Sequence, residues 1–250
     1  MVSARRQHDD VEWQLRVDLA AAFRLAADMG WHEAVANHFS LAVSPDGKRF
    51  LMNPRWAHFS RVTASGLLRL DADDPETMSR PDAPDASAWC IHGHIHAAVP
   101  QARCILHVHP PYATAIAALA APDIKPIEQN TARYHNRIAI DLDYSGIADN
   151  DEEGERLVRV LGDNRRVMLG NHGVLVIGET VAQAFDDLYY LERACQTLTL
   201  AYSTGQKLHV MAPDVAERVA RGWDDYKEAA FAHFEELKRL LDRKDPSYAD

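Results

Sequence analysis

In the stretch ILHVHPPYATA, residues 105–115, His107 and His109 close an apolar run that two prolines then stop. Side chains alternate along a strand, so both imidazoles share one face with Val108 opposite. Two neutral rings placed in this way can chelate one cation. Two strand-end histidines bonded to backbone or water explain the same pattern more plainly, since a buried ring without partners costs about 1–3 kcal/mol. A third imidazole, His172, stands between Asn171 and Gly173 in LGNHGVLVIG, at a corner where glycine permits a turn most residues resist. Alone, it is an ordinary turn histidine.

The other reactive side chains form weaker patterns. His32-Glu33 starts like the helical H-E-x-x-H zinc motif, but position 36 is Ala36, so that assignment is rejected. His92, His94 and His96 crowd one segment; on a helix His92 and His96 share a face while His94 points elsewhere. Cys90, Cys104 and Cys195 lie far apart without a C-x-x-C pair, which argues against a disulfide framework and a thiolate zinc site. The sequence contains no G-x-S-x-G elbow, phosphate loop or G-x-G-x-x-G dinucleotide fingerprint.

These residues need elements to hold them. Val11, Leu15, Leu19, Phe23 and Ala26 recur at helical spacing before Gly30, which predicts an opening helix over 11–29. HFSLAV and RFLMN around SPDGK predict a hairpin, and AWCIHGHIHAAV a helix stopped by Pro100. RCILHVH predicts a strand, with Pro110-Pro111 opening the next helix. RIAIDLDY predicts a strand, DEEGERLVRVLG a helix, and RVMLGNHGVLVIG two strands about the Asn-His-Gly corner. A long helix follows over 180–204, and the remainder continues a helical pattern. The order of elements implies an α/β domain with a largely antiparallel or mixed sheet.

The chain has 250 residues, 47% hydrophobic and 26% charged, enough for a sizeable core. A net charge of −10 disfavours nucleic acid and anionic lipid as partners. No apolar stretch approaches the roughly 20 residues of a membrane span, and no signal-type block is visible near the start. A cytoplasmic protein is expected.

LHVHPPYATAIAAL followed by MLGNHGVLVIGETVAQAFDDLYYLERACQ resembles the class II aldolase/adducin family. GWHEAVANHFSLAV, FLMNP, VTASGLL and DYSGI are similar to further blocks of that family in the same order, covering roughly 11–202. The resemblance implies a three-layer α/β/α sandwich around a mostly antiparallel sheet over residues 1–206. Residues 207–250 are left as a C-terminal helical extension, packed on the domain or at a subunit interface. It also implies a homotetramer with sites between subunits, and a divalent metal on His107, His109 and His172. Zinc suits such a set, with manganese, iron and cobalt as alternatives. The activity implied is that of a metal-dependent lyase or aldolase acting on a small hydroxycarbonyl substrate through a metal-stabilised enediolate. An iron oxygenase on the same fold, or a non-catalytic interaction module like the adducin head, are the alternatives.

The chain departs from the family at several positions. The family's acidic residue falls on Ala88, unless a register shift brings in Asp85. His92, one turn beyond Ala88, is then a candidate fourth ligand or proton carrier. Glu128 is the favoured general base, with Tyr134 behind it. The phosphate-binding stretches are altered, so a phosphorylated sugar is not assumed; Asn37, His38, Ser40 and Ser87 remain candidates for substrate contact.

Overall fold

The computed structural model describes residues 10–143, 146 and 150–250. Helix α1 spans Asp10–Asp28, one residue earlier than predicted, and Gly30 at φ 69° ends it where a side chain would be strained. Strands β1 (His38–Ala42) and β2 (Arg49–Met52) form the expected hairpin, with Ser40 opposite Met52, and β3 (Leu68–Asp71) extends it.

Helix α2 (Ala86–Ala98) begins at Asp85, whose carboxylate accepts the Ser87 N–H as an N-cap. Then come β4 (Cys104–Val108), α3 (Pro111–Ala117) with its leading proline, and the one-turn α4 (Gln129–Ala132). Strand β5 is only Ala139–Asp141, shorter than RIAIDLDY; within DYSGI, Tyr144, Ser145 and Ile147 lie outside the described residues. Helix α5 (Asp151–Leu161) crosses over to β6 (Arg166–Leu169), β7 (Gly173–Gly178) follows, and Thr180 caps α6 (Val181–Ser203). Helices α7 (Pro213–Asp225) and α8 (Glu228–Lys244) close the chain.

Among the described residues the strands form one seven-stranded sheet in the order β3-β2-β1-β4-β7-β6-β5. Every neighbouring pair is antiparallel except β5 and β6, which the α5 crossover makes parallel. The fold is thus the expected α/β architecture with a mostly antiparallel sheet.

Strand alternation divides the core. Phe39, Leu106, Val108, Val174 and Val176 face the layer of α1, α3 and α6, while Ile105, Leu175, Ile177 and Val167 face α2 and α5. In the first layer Phe23 stacks on Phe39 at 4.8 Å and meets Phe59 edge-on at 4.6 Å. Removing such a ring costs about 3–5 kcal/mol. Helix α8 is fastened to α6 by Phe234 against Phe185 at 5.7 Å, and to α1 by Lys238 on Asp18 at 2.7 Å.

The topology gathers the histidines. His38 on β1 pairs across the sheet with His107 on β4, His109 follows just past the end of β4, and His172 occupies the β6–β7 corner. One end of the central strands therefore carries all four rings.

Candidate metal centre

The rings of His107, His109 and His172 converge. Their centroids lie 5.0, 4.8 and 4.6 Å apart, and one ring nitrogen from each falls within 4.8 Å of the others. The corner that delivers His172 works differently from the sequence expectation. Asn171, not Gly173, takes the left-handed conformation, at φ 55°. Gly173 is needed for space: a Cβ there would stand 2.5 Å from His109 Cδ2 and 2.7 Å from the Val108 carbonyl.

Outer partners fix how two of the rings present themselves. His107 Nδ1–H donates to the Val174 carbonyl at 3.0 Å, and His109 Nδ1–H donates to the Glu33 carboxylate at 2.6 Å. Both acceptors are oxygens without hydrogens, so each neutral ring keeps a lone pair on Nε2. Those Nε2 atoms face one another at 3.3 Å. Two lone pairs so placed repel unless a cation lies between them. Two nitrogens bound at about 2.0–2.1 Å to one tetrahedral zinc stand roughly 3.3 Å apart, so the donor set fits that ion. Neutrality is favoured at two of the three: burial, then His172, holds the His107 imidazole well below its ordinary pKa, and burial, then His109, pushes His172 down to about 4.

The triad opens on a cavity of about 420 Å³, also lined by His38, Trp56, Asp85 and Ser87. Trp56, 66% exposed, sits at φ 61° with the Arg55 guanidinium 4.2 Å over its ring. Non-glycine residues with positive φ among the described residues are Ala34, Trp56, Asn136 and Asn171; Trp56 lines this cavity and Asn171 precedes His172. Strain concentrated there is typical of a working site.

The other expected site residues are distributed unevenly. His38 lines the cavity, whereas Ser40 is buried behind it. Asn37 accepts the Glu33 N–H on Oδ1 at 2.7 Å, which steadies the loop carrying Glu33, and its buried Nδ2 has no partner. Ala88 is buried with Phe50, Met52 and Leu70, so Asp85 is the carboxylate on the cavity wall; it accepts the Ser87 hydroxyl at 2.7 Å and lies 3.7 Å from Arg55. His92 is not poised as a fourth ligand. It is fully buried, with Nδ1 on Ser40 and Nε2 on His38.

Glu128 and Tyr134, expected as general base and its second, do not line this cavity within their own chain. The Glu128 carboxylate caps α4, accepting the Asn130 and Thr131 N–H groups at 2.8 and 2.7 Å. Tyr134 is buried in the core and donates its hydroxyl to the Asp187 carbonyl at 2.8 Å.

Sequence reasoning overlooked two carboxylates. Glu33 appeared only in a motif that failed its spacing, and nothing local marks it as the partner of a residue 76 positions away. Glu192, on α6, accepts the Tyr112 and Ala113 N–H groups at 2.9 and 2.7 Å and so anchors the helix that follows the ligand strand. Burial raises its pKa to about 6 against those two donors.

Comparison with known proteins agrees with this fold. A model of the class II aldolase and adducin N-terminal domain matches residues 17–199. The chain belongs to the class II aldolase and adducin family. A Caulobacter vibrioides relative, which carries only a provisional aldolase class 2 name, is 34% identical over 254 aligned residues, covering 100% of this chain and 97% of that one. The crystal structure of an aldolase II superfamily protein from Pseudomonas syringae superposes with a TM-score of 0.90 at 33% identity, covering 99% and 100% of the two chains. An L-fuculose 1-phosphate aldolase from Glaciozyma antarctica PI12 shares the fold at a TM-score of 0.78 and 21% identity, over 95% of this chain and 92% of that one. In this chain three imidazoles converge, and position 88 is an alanine.

Proposed function

We propose that the protein is a zinc-dependent lyase that breaks or forms a carbon–carbon bond beside a hydroxycarbonyl group. The observation that carries this reading is the pair of Nε2 lone pairs on His107 and His109, 3.3 Å apart, with His172 alongside on the wall of an open cavity. A divalent cation held by these three residues would supply Lewis-acid polarisation of a substrate oxygen; manganese, iron and cobalt are the alternatives to zinc.

The chain's own groups divide the remaining work. Glu33 and the Val174 carbonyl hold the His109 and His107 rings in the ligating tautomer. Asp85, on the cavity wall, is the group placed to take a proton from a substrate hydroxyl and return it, the part that Ala88 cannot play. His38, beside His107 at a centroid distance of 5.0 Å, offers a ring nitrogen to a bound oxygen. Trp56 adds an exposed aromatic ring to the cavity wall. The substrate is proposed to be a small hydroxycarbonyl compound without a required phosphate, and the active form a cytoplasmic homotetramer. No helix among the described residues is long and apolar enough to cross a membrane.

Metal analysis of protein purified without a histidine tag tests this, combined with assays of hydroxyaldehydes, ketoses and hydroxy acids under several divalent ions. Near-stoichiometric zinc with cation-dependent cleavage is the expected result. Iron with oxygen consumption would move the protein to the oxygenase reading. Absence of any specific metal or turnover would move it to a non-catalytic, adducin-like role.

A further inference from the structure

Behind the cavity, His38, His92 and His96 are joined through Ser40 into one hydrogen-bonded row. His38 Nδ1 lies 2.8 Å from His92 Nε2, His92 Nδ1 lies 2.5 Å from Ser40 Oγ, and Ser40 Oγ lies 2.7 Å from His96 Nε2. All four residues are at most 3% exposed. The row separates an apolar cluster containing Phe50, Met52 and Leu70 from one containing Ile91, Ile95 and Ile105. Apolar side chains could fill such a seam without any polar group to satisfy, so its chemistry needs a reason.

Two senses keep every hydrogen within the row bonded: His92 Nδ1 and His96 Nε2 are the partners that Ser40 Oγ has, so if both rings donated to it the buried hydroxyl hydrogen would be left without an acceptor. If that hydrogen goes to His92 Nδ1, then His96 Nε2–H must donate to Oγ. If it goes to His96 Nε2, then His92 Nδ1–H must donate instead. The far nitrogen of His96 decides between them: Nδ1 is buried and has no partner. The first sense leaves a bare lone pair there, whereas the second leaves a buried N–H with no acceptor, which is the rarer defect in folded proteins. In the first sense His92 Nε2–H donates to His38 Nδ1. His38 must then carry its own hydrogen on Nε2, the nitrogen left for the cavity.

We infer that Ser40, His92 and His96 are positioning residues that lock His38 as an Nε2–H donor at the metal cavity, where it holds a carbonyl or carboxylate oxygen of the substrate. The sealed end at His96 Nδ1 means that the row orients His38 and does not conduct protons to solvent. The role at the cavity rests on the lyase reading; the sense of the row does not.

Neutron diffraction from deuterated, metal-free crystals reads the row directly. Deuterium is expected on Nε2 of His38, His92 and His96, with the Ser40 deuteron directed at His92. Deuterium on Nδ1 of His38 or His92 would overturn the inference. The second arm is glycolate titration of the zinc-loaded protein. Ser40→Ala is expected to bind glycolate about tenfold more weakly with unchanged zinc content, the loss of one oriented hydrogen bond. Equal affinity in the two proteins would remove the role at the cavity. A wild type that binds zinc but no glycolate would count against both that role and the hydroxycarbonyl reading, while the diffraction result alone would still judge the row.

Discussion

Two groups of histidines meet where His38 packs beside His107, and they differ in what surrounds them. In the triad, Nδ1 of both His107 and His109 is spent on an oxygen acceptor, and their Nε2 atoms are left facing each other at the edge of a cavity. In the row behind it, His92 gives both ring nitrogens to neighbouring side chains, and Ser40, His92 and His96 are sealed from solvent. The same residue type thus yields a candidate chelating site in one place and a fixed polar scaffold in the other. Partner chemistry makes the difference: carbonyl and carboxylate acceptors force lone pairs outward, whereas a serine hydroxyl between imidazoles passes one hydrogen along the row.

The sharpest way to break this contrast is to delete one member of each group. His109→Ala is expected to weaken zinc binding by on the order of a hundred- to a thousandfold, the share of one ligand in a structural-type site. The metal-free melting temperature should hardly move, which atomic emission on dialysed protein and a thermal melt would check together. Retained zinc at normal stoichiometry would end the triad assignment. Ser40→Ala should do the reverse. It strips partners from His92 Nδ1 and His96 Nε2, costing about 2–4 kcal/mol of stability, while the bound zinc stays stoichiometric. Loss of zinc without loss of stability would erase the distinction.

Much of this was legible beforehand because it is local. The alternation in ILHVH, the prolines that open α3, and the Pro-Asp-Gly turn each act within a few residues, and the elements they predict are present with ends shifted by a residue or two. What stayed hidden depends on residues brought together from far apart. Glu33 reaches His109 across 76 positions, and Ser40 reaches His92 across 52, with no periodicity to announce either. Glu128 was ambiguous for the opposite reason. An acid in a loop has the same appearance whether it serves a reaction or a helix end, and only its hydrogen-bond partners separate the two.

Smaller changes sharpen the comparison. Glu33→Gln keeps an oxygen for His109 Nδ1–H but removes the charge, and zinc affinity is expected to fall about tenfold. Isothermal titration against a zinc-buffered solution would measure it, and an unchanged constant would make Glu33 a bystander.

The least expected effect on the metal comes from Glu128→Ala. Glu128 and Thr131 cap α4 reciprocally: the carboxylate takes the Asn130 and Thr131 N–H groups, while the threonine oxygen takes the Glu128 N–H at 2.9 Å. Removing it should cost about 1 kcal/mol, as the loss of an N-cap does, and leave zinc content and glycolate affinity as they were. Denaturant unfolding and the same titrations would show this. If turnover on an identified substrate instead collapsed while stability held, the carboxylate would have to reach the cavity of a neighbouring copy, because within one chain both of its oxygens are held by α4.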